Sequence, residues 1–229
     1  MAVKNATHPY YPRSLVIPHY KPNDKNAFEL VGVFFGIVGV FIVATWWVSG
    51  RVKPRLSLPR RIVICWFVSC GLIHGILEGY FSFFHATLVG EMDFLAQMWK
   101  EYGRGDSRYI SSDTFTVCME RITAMVDGPL AFLAALSFLQ HGSYRYVLQL
   151  LLSLFQLYGD VLYFLTEIFE GFSHGEYLHP QYFWFYFVFL NSIWIVVPLS
   201  LIFDSCFQLA KCQEKYDSES KQNKNKKLK

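Results

Sequence analysis

Two ionisable side chains four residues apart, His74 and Glu78, interrupt an apolar stretch that is long enough to cross a bilayer. A spacing of four places them on one face of a helix, where they can touch. Ionisable residues inside a membrane span are rare and mark functional sites by default. An imidazole beside a carboxylate can hold one labile proton, which is what general acid–base catalysis needs.

Two further apolar stretches carry polar side chains on one face. In the third stretch, Glu120, Thr123 and Asp127 lie within about 60° of one another on a helical wheel. In the fifth, Asn191 and Trp194 are three residues apart and share a side. The face of an indole attracts cations by up to about 2 kcal/mol when water is excluded. A pocket that combines a proton donor, a carboxylate and an indole suits a hydrophobic substrate that reacts through a carbocation.

Simpler roles are open to the same residues. Polar side chains can join helices in a membrane, with each hydrogen bond contributing about 1 kcal/mol or less, and Thr123 and Asn191 could do only that. A metal site built from His74, Glu78 and Glu120 would have one histidine and two carboxylates, which is a poor set of zinc ligands. The sequence shows neither a Ser–His–Asp pattern nor a phosphate-binding loop.

The elements that must carry these residues are apolar. Of the 229 residues, 53% are hydrophobic, 18% aromatic and only 17% charged, whereas about a quarter of the residues of a soluble domain are charged. Five apolar runs have the roughly 20 residues that a membrane helix needs; they cover residues 30–48, 62–84, 114–139, 146–168 and 182–202. Strict alternation is missing, which favours helices. We therefore predict an all-α integral membrane protein, a five-transmembrane-helix bundle enclosing an apolar ligand cavity.

The charges outside these runs predict how the chain is oriented. Residues 51–61 hold five Lys or Arg and no acid, and seven lysines follow Asp204. We therefore assign residues 1–29 to a lumenal segment, 30–206 to the five-helix domain and 207–229 to a basic cytosolic tail. No signal peptide is visible at the start, so the first span is expected to act as its own insertion signal. The acids Asp160 and Glu167 are near enough to the lumenal end of the fourth run to reach water.

The tail also carries a targeting pattern. Lys226 and Lys227 are fourth and third from the last residue, as in a cytosolic dilysine retrieval signal. This placement predicts the endoplasmic reticulum membrane, with the nuclear envelope as a further location. A basic tail beside anionic lipid headgroups is the simpler interpretation.

Five segments of the sequence resemble the emopamil-binding protein family of sterol Δ8–Δ7 isomerases, within the wider EXPERA family. They read IHGILEGYF, WKEYGRGDSRYI, FTVCMERIT, YGDVLYFLTE and YFWFYFVFLNSIW. The resemblance implies a five-helix enzyme of the endoplasmic reticulum that moves a sterol double bond from C8–C9 to C7–C8. In that reaction a proton adds at C9, a cation forms at C8 and a proton leaves from C7, with no cofactor and no metal.

The resemblance also assigns roles to individual residues. It implies catalytic roles for His74, Glu78, Glu120 and Trp194, substrate-orienting roles for Tyr109, Thr123 and Asn191, and structural roles for Arg145 and Asp127. The pair Arg121 and Asp127 departs from the family pattern, which has neutral residues there. We expect the two to interact with each other or to alter the polarity of the pocket.

The partners that follow from this assignment are a Δ8-sterol substrate, lipophilic amines and the lipid bilayer. No nucleic-acid partner is expected, and the sequence leaves open whether the chain forms a homodimer. The alternative function is a non-catalytic sterol- or amine-binding membrane receptor of the same fold. A proton-coupled transporter is less well supported, because inverted repeats are not evident.

Overall fold

Five apolar helices form the bundle. The computed structural model describes residues 7–227, with side chains to residue 224, and this part contains helices and no strands. Each of five helices is long and apolar enough to cross a membrane: Ala27–Ser49, Leu58–Phe84, Thr114–Leu139, Arg145–Phe169 and Pro180–Lys224, here called spans 1 to 5. The prediction of five spans is confirmed. Span 5 extends far beyond the predicted residue 202, because the polar tail is rich in good helix formers.

Polar side chains fix where several spans begin. The Asn26 side chain accepts a hydrogen bond from the Glu29 amide at the start of span 1. At the start of span 3, Asp113 accepts from the Thr116 amide in the same way. Such side-chain hydrogen bonds satisfy amides that have no partner within the helix. Each of them therefore gives its span a defined first turn.

Three of the spans contain a π-helical segment. Segment π1 is Ile73–Glu78 in span 2, π2 is Thr123–Asp127 in span 3, and π3 is Pro180–Leu190 at the start of span 5. Such segments are rare, widen the helix to an i→i+5 hydrogen-bond pattern and occur often at functional sites. π1 packs against π2. The residues of the predicted site therefore lie within or next to irregular turns, at a level where two spans meet.

A cap closes one end of the bundle. We give this name to residues 7–26 and 85–113, which include the helices Phe94–Tyr102 and Arg108–Ser111. Tyr10 donates to the Lys100 carbonyl at 3.0 Å, and the buried Lys100 ammonium donates to the carbonyls of Lys21 and Glu91. The second connection and the N-terminal segment therefore form one folded unit.

One expectation about charged residues is wrong, and one of the two alternatives for Arg121 and Asp127 is excluded. Glu167 does not reach water: it is 3% exposed and lies between Arg108, at 3.6 Å, and His174, at 2.7 Å. Arg121 does not pair with Asp127 either. Its guanidinium donates to the Ser82 carbonyl at 2.8 Å, and this bond links span 3 to span 2.

Arg145 is the first residue of span 4, directly after the turn that follows span 3. Its guanidinium donates to the carbonyls of Gly142, at 2.8 Å, and His141, at 3.2 Å. These contacts close the turn before span 4 begins. The structural role predicted for Arg145 therefore has a geometric basis.

Candidate active site

The pair predicted from spacing alone is present in the structure. Within π1, His74 Nδ1 lies 2.7 Å from Glu78 Oε2. The imidazole is 2% exposed as a residue, and both side chains face a cavity inside the bundle. A buried charge is tolerated where it is paired and hydrogen-bonded. The predicted contact between His74 and Glu78 is confirmed.

The other nitrogen of His74 receives two contacts from different spans. Trp194 Nε1 of span 5 donates to His74 Nε2 at 3.3 Å, and Gln156 Nε2 of span 4 lies 2.9 Å from the same atom. An indole N–H can only donate. His74 Nε2 is therefore the acceptor in this arrangement, and the ring proton sits on Nδ1, where it is donated to Glu78.

Glu120 is held by two hydroxyl groups. Tyr109 donates to Glu120 Oε1 at 2.5 Å. The Thr123 hydroxyl lies between the Glu120 backbone carbonyl, at 2.9 Å, and Glu120 Oε2, at 3.3 Å. Burial, followed by the negative charge of Glu120, raises the pKa of the Tyr109 phenol well above its ordinary value. Tyr109 therefore keeps its proton and acts as the donor in this bond. The geometry brings Tyr109 and Thr123, which were predicted to orient the substrate, to the Glu120 carboxylate.

Asn191 contacts Tyr102 and the backbone of its own span. Its amide nitrogen donates to the Tyr102 hydroxyl at 2.9 Å and to the Phe187 carbonyl at 2.6 Å. It lines the cavity beside Tyr102 rather than contacting a carboxyl group. Asn191 therefore joins span 5 to the cap, while Trp194, one turn further on, reaches His74.

Asp127 is buried without a partner. The residue is 1% exposed, and no hydrogen-bond partner for either carboxylate oxygen lies among residues 7–227. It ends π2, immediately before the close contact between Gly128 and Gly75. Burying a carboxylate without a partner costs free energy. No contact of the described chain explains the structural role predicted for Asp127.

The cavity that joins these residues has a volume of about 380 Å³. Apolar side chains of spans 1 and 5, such as Phe34, Phe35, Phe185 and Phe189, form much of its wall. Its polar lining includes all seven residues predicted to act on or orient the substrate, namely His74, Glu78, Tyr109, Glu120, Thr123, Asn191 and Trp194.

Sequence reasoning missed the contribution of span 4. Gln156, Asp160 and Tyr163 line the same cavity, and Tyr102 enters it from the cap. Their spacing of four and three residues on span 4 is the signal that could have found them, because it places all three on one helical face. Tyr102 had no comparable signal, since it comes from a connection with no membrane pattern.

The metal alternative for the site has no geometric support. Within the described part of the chain, the group of side chains close enough to share an ion lies at the end of span 4 and in the connection after it, and consists of Glu167, Glu170 and His174. The set His74, Glu78 and Glu120 does not meet that requirement. Glu167 is already paired with Arg108 and His174, so this group is explained by ion pairing.

Comparison with known proteins places this arrangement in a family. The model of the EXPERA (EXPanded EBP) superfamily matches residues 94–205. A rat protein named 3-beta-hydroxysteroid-Delta(8),Delta(7)-isomerase is 50% identical over 212 residues, which cover 92% of each chain. The chain belongs to the EXPERA superfamily. Within its EXPERA match lie Tyr109, Glu120, Thr123, Asn191 and Trp194, while span 2 precedes that match.

Other relatives widen the range of names in the family. A guinea pig protein with the same name as the rat relative is 47% identical to this EXPERA chain over 220 residues, or 96% of each chain. An isomeliandiol synthase of Melia azedarach is 37% identical over 170 residues, covering 74% of this chain and 78% of the relative. The family identified from the five sequence segments is therefore confirmed.

Proposed function

We propose that this EXPERA chain is a sterol Δ8–Δ7 isomerase. The observation that carries the proposal is the position of two carboxyl groups, those of Glu78 and Glu120, at the wall of one apolar cavity. The two residues come from two packed spans, and the buried imidazole of His74 lies behind Glu78. Names of the rat and guinea pig relatives support the same reaction. The cavity volume of about 380 Å³ lies within the usual range of about 300–1,000 Å³ for ligand sites.

The reaction needs one proton delivered and one removed. Protonation of the C8–C9 double bond at C9 leaves a cation at C8, and loss of a proton from C7 forms the C7–C8 double bond. In our proposal Glu78 and Glu120 are the groups that face the sterol, one as donor and the other as acceptor. His74 stores a proton behind Glu78, because its Nδ1 lies 2.7 Å from Glu78 and both ring nitrogens are engaged by protein groups.

Trp194 has two tasks in this proposal. Its N–H donates to His74 and so keeps the imidazole turned toward Glu78. The indole also lines the cavity, where its face can stabilise a carbocation that has no water around it. Asn191 and Tyr102 would position the sterol, and Tyr109 and Thr123 would hold the Glu120 carboxylate.

Replacement of Glu120 tests the proposal directly. The purified Glu120→Gln variant is assayed with an 8-ene sterol, and the product is identified by mass spectrometry. We expect turnover to fall by about 10²-fold or more, the usual contribution of a positioned acid–base group. Glu214→Gln, on the exposed tail helix, is the matched control and should convert the substrate normally. Retained activity in Glu120→Gln would remove this residue from the mechanism.

The same cavity suits lipophilic amines. An ammonium group carries the charge that develops at C8, and two carboxyl groups and an indole surround the place where it would lie. A non-catalytic receptor of the same fold would bind amines equally well. Solvent deuterium separates the two functions, because only an isomerase transfers deuterium from heavy water into the sterol product.

We further propose that the chain is resident in the endoplasmic reticulum with its C-terminus in the cytosol. The five lysines and arginines of residues 51–61 and the dilysine at Lys226 and Lys227 support this location. Leu228 and Lys229, which complete the dilysine pattern, lie outside the described residues. Replacing both Lys226 and Lys227 by serine should release a tagged protein to later compartments, as seen by fluorescence microscopy.

A further inference from the structure

A stripe of buried polar side chains runs along span 4, away from the cavity. Gln149, Ser153 and Gln156 are 0%, 0% and 3% exposed, and their spacing of four and three residues places them on one helical face. Each has a side-chain oxygen, Gln149 Oε1, Ser153 Oγ and Gln156 Oε1, for which the described chain offers no hydrogen-bond partner. A lipid-facing or purely structural surface would not need three such groups in a row.

Several serines of the bundle bond within their own helix, whereas Ser153, like Ser205 of span 5, does not. Ser69, Ser82 and Ser192 donate their hydroxyls to the carbonyl four residues earlier in their own helices, at 2.7–2.9 Å. Serines in membrane helices commonly satisfy themselves in this way. Ser153 makes no such bond among residues 7–227, although it is fully buried. Its hydroxyl is therefore not used within its own helix.

The two ends of the stripe contact different protein groups, one of them buried and the other partly exposed. At one end, Gln156 Nε2 lies 2.9 Å from His74 Nε2. At the other, Gln149 Nε2 donates to Asp204 Oδ2 at 2.8 Å. Asp204 pairs with Arg60, and their side chains are 28% and 21% exposed. This pair lies at the end of the bundle opposite the cap, where span 2 begins.

We propose that the stripe of Gln149, Ser153 and Gln156 is a hydrated proton path between His74 and the partly exposed Arg60–Asp204 pair. Buried polar groups that lack a protein partner are normally bonded to ordered water. Gln149 and Gln156 are about 10 Å apart along the helix axis, a distance that a few waters and the Ser153 hydroxyl span.

Gln156 is suited to be the last link, because an amide both donates and accepts. With neutral His74, the amide N–H donates to Nε2, as in the structure. When His74 carries a second proton, a turned amide offers Oε1 as acceptor to the new Nε2–H. For a proton to pass, the amide oxygen accepts one proton as the amide nitrogen releases another, and the resulting imidic acid returns to the amide when a proton moves from its oxygen to its nitrogen.

This inference rests on the proposed function for its use. Each catalytic cycle adds one proton at C9 and removes one from C7, so the number of protons on the protein is unchanged. The path lets the proton from C7 leave through His74 to bulk water, while a different proton returns for C9. Without the path, the proton taken from C7 remains in the site and is the one that is added at C9 in the next cycle.

Isotope labelling tests the path with a matched pair of variants. Ser153→Val and Ser153→Thr have nearly the same shape, but only threonine keeps a hydroxyl. In heavy water, the wild type should give product labelled at C9. Ser153→Val should give product that carries protium at C9, transferred from C7 of the previous substrate molecule, and should turn over about tenfold more slowly, the effect of roughly 1.4 kcal/mol on a barrier. Ser153→Thr should rescue both. Equal labelling in wild type and Ser153→Val would overturn the proposal.

A second measurement does not depend on catalysis. Exchange of the C2 proton of the His74 ring with heavy water requires water to reach the imidazole, and mass spectrometry of the digested protein reads its rate. We expect Ser153→Val and Gln149→Leu to slow this exchange about tenfold, a barrier increase of roughly 1.4 kcal/mol, and Ser153→Thr to restore it. Equal rates in all variants would overturn the path. If the wild type converts no 8-ene sterol, the proposed function fails and this exchange still tests the path.

Discussion

Tyr109 connects the cap to a carboxylate of the site by one short hydrogen bond. The Tyr109→Phe variant removes only the hydroxyl that donates to Glu120 at 2.5 Å. A hydrogen bond to a charged group contributes about 1.5–3 kcal/mol, so we expect kcat to fall by about tenfold to a hundredfold. KM should change less, because the ring remains to line the cavity.

The matched control for this change is Tyr158→Phe, since Tyr158 is 67% exposed on the outer surface of span 4. Steady-state kinetics of the two purified variants in the same detergent make the comparison. A Tyr109→Phe enzyme with wild-type kcat would mean that the phenol only packs the cap.

The residues of the site differ in how far sequence could predict them. The contact between His74 and Glu78 depends on the spacing within one helix, so a helical wheel was sufficient. The contacts of His74 with Gln156 and Trp194 depend on how three helices are rotated against each other. Asn191 shows the same limit, because its side of span 5 was predictable but its partner Tyr102 was not.

The two π segments of spans 2 and 3 are held at close range by a pair of glycines. A Cβ added to Gly128 would lie 3.0 Å from the Gly75 amide nitrogen and 3.1 Å from its Cα. Gly75 lies between the two acid–base residues of π1. The absence of a side chain at Gly128 therefore sets the distance between the elements that carry Glu78 and Glu120.

We expect Gly128→Ala to lower both stability and turnover. The added methyl meets backbone, which cannot rotate away, and overpacking of this kind costs about 1–3 kcal/mol. Gly39→Ala in span 1 is the control, because a Cβ there meets nothing within 4 Å. Thermal unfolding and sterol turnover of both variants are measured. A Gly128→Ala protein with normal Tm and activity would show that the two spans can separate freely.

His174 fastens the connection between spans 4 and 5 to the buried acid Glu167. Its amide and its ring nitrogen Nδ1 both contact Glu167, at 3.0 and 2.7 Å. The hydrogen bond to Glu167 raises the pKa of His174 above the ordinary value of 6.5, against the opposing effect of burial. The charged imidazole therefore stabilises the folded chain, fully below pH 6.5 and progressively less as pH rises through the raised pKa.

We expect the difference in Tm between wild type and His174→Gln to depend on pH. It should be largest below pH 6.5 and should shrink as the pH rises through the raised pKa of His174. His141→Gln is the control, because His141 is exposed. A difference in Tm that does not change with pH would show that the contact between His174 and Glu167 does not depend on the charge of His174.

The helices themselves were largely predictable, but their irregular turns were not. Lipid offers no partner to backbone amides, so a long apolar run has to become a helix. Whether one turn closes as i→i+4 or i→i+5 depends on a small energy difference that packing decides. The sequence IHGILE therefore predicted a helix, while the π turn that it forms was visible only in the structure.

The molecule as a whole combines a bundle that faces lipid with a cap that shares a hydrophobic core with the ends of the spans. Tyr10, from the N-terminal segment, is 1% exposed and packs with Phe81 and Trp99 in that core. Hydropathy could not predict the cap, because its residues have neither a membrane pattern nor a regular period. Its buried Lys100 is satisfied by backbone carbonyls that are distant in sequence.

Removal of the Tyr10 side chain should loosen the cap. We expect Tyr10→Ala to cost about 3–5 kcal/mol, as for other large buried aromatics, and Tyr10→Phe about 1 kcal/mol for the lost hydrogen bond to Lys100. Limited proteolysis and thermal unfolding measure the effect. Tyr216→Ala, at a position 68% exposed on the tail, is the control. Equal protease resistance in Tyr10→Ala and wild type would show that residues 7–26 are not needed to hold the cap.

The last helix has a mechanical consequence. It covers Asn191–Lys227, 37 residues with Pro198 in its interior, and is about 55 Å long. Trp194, which contacts His74, is in its first turn, and the basic tail forms its far end. Pro198 lies between the two and removes one backbone hydrogen bond, so a partner that binds the tail acts on the contact between the indole and the imidazole through the turn that holds this proline.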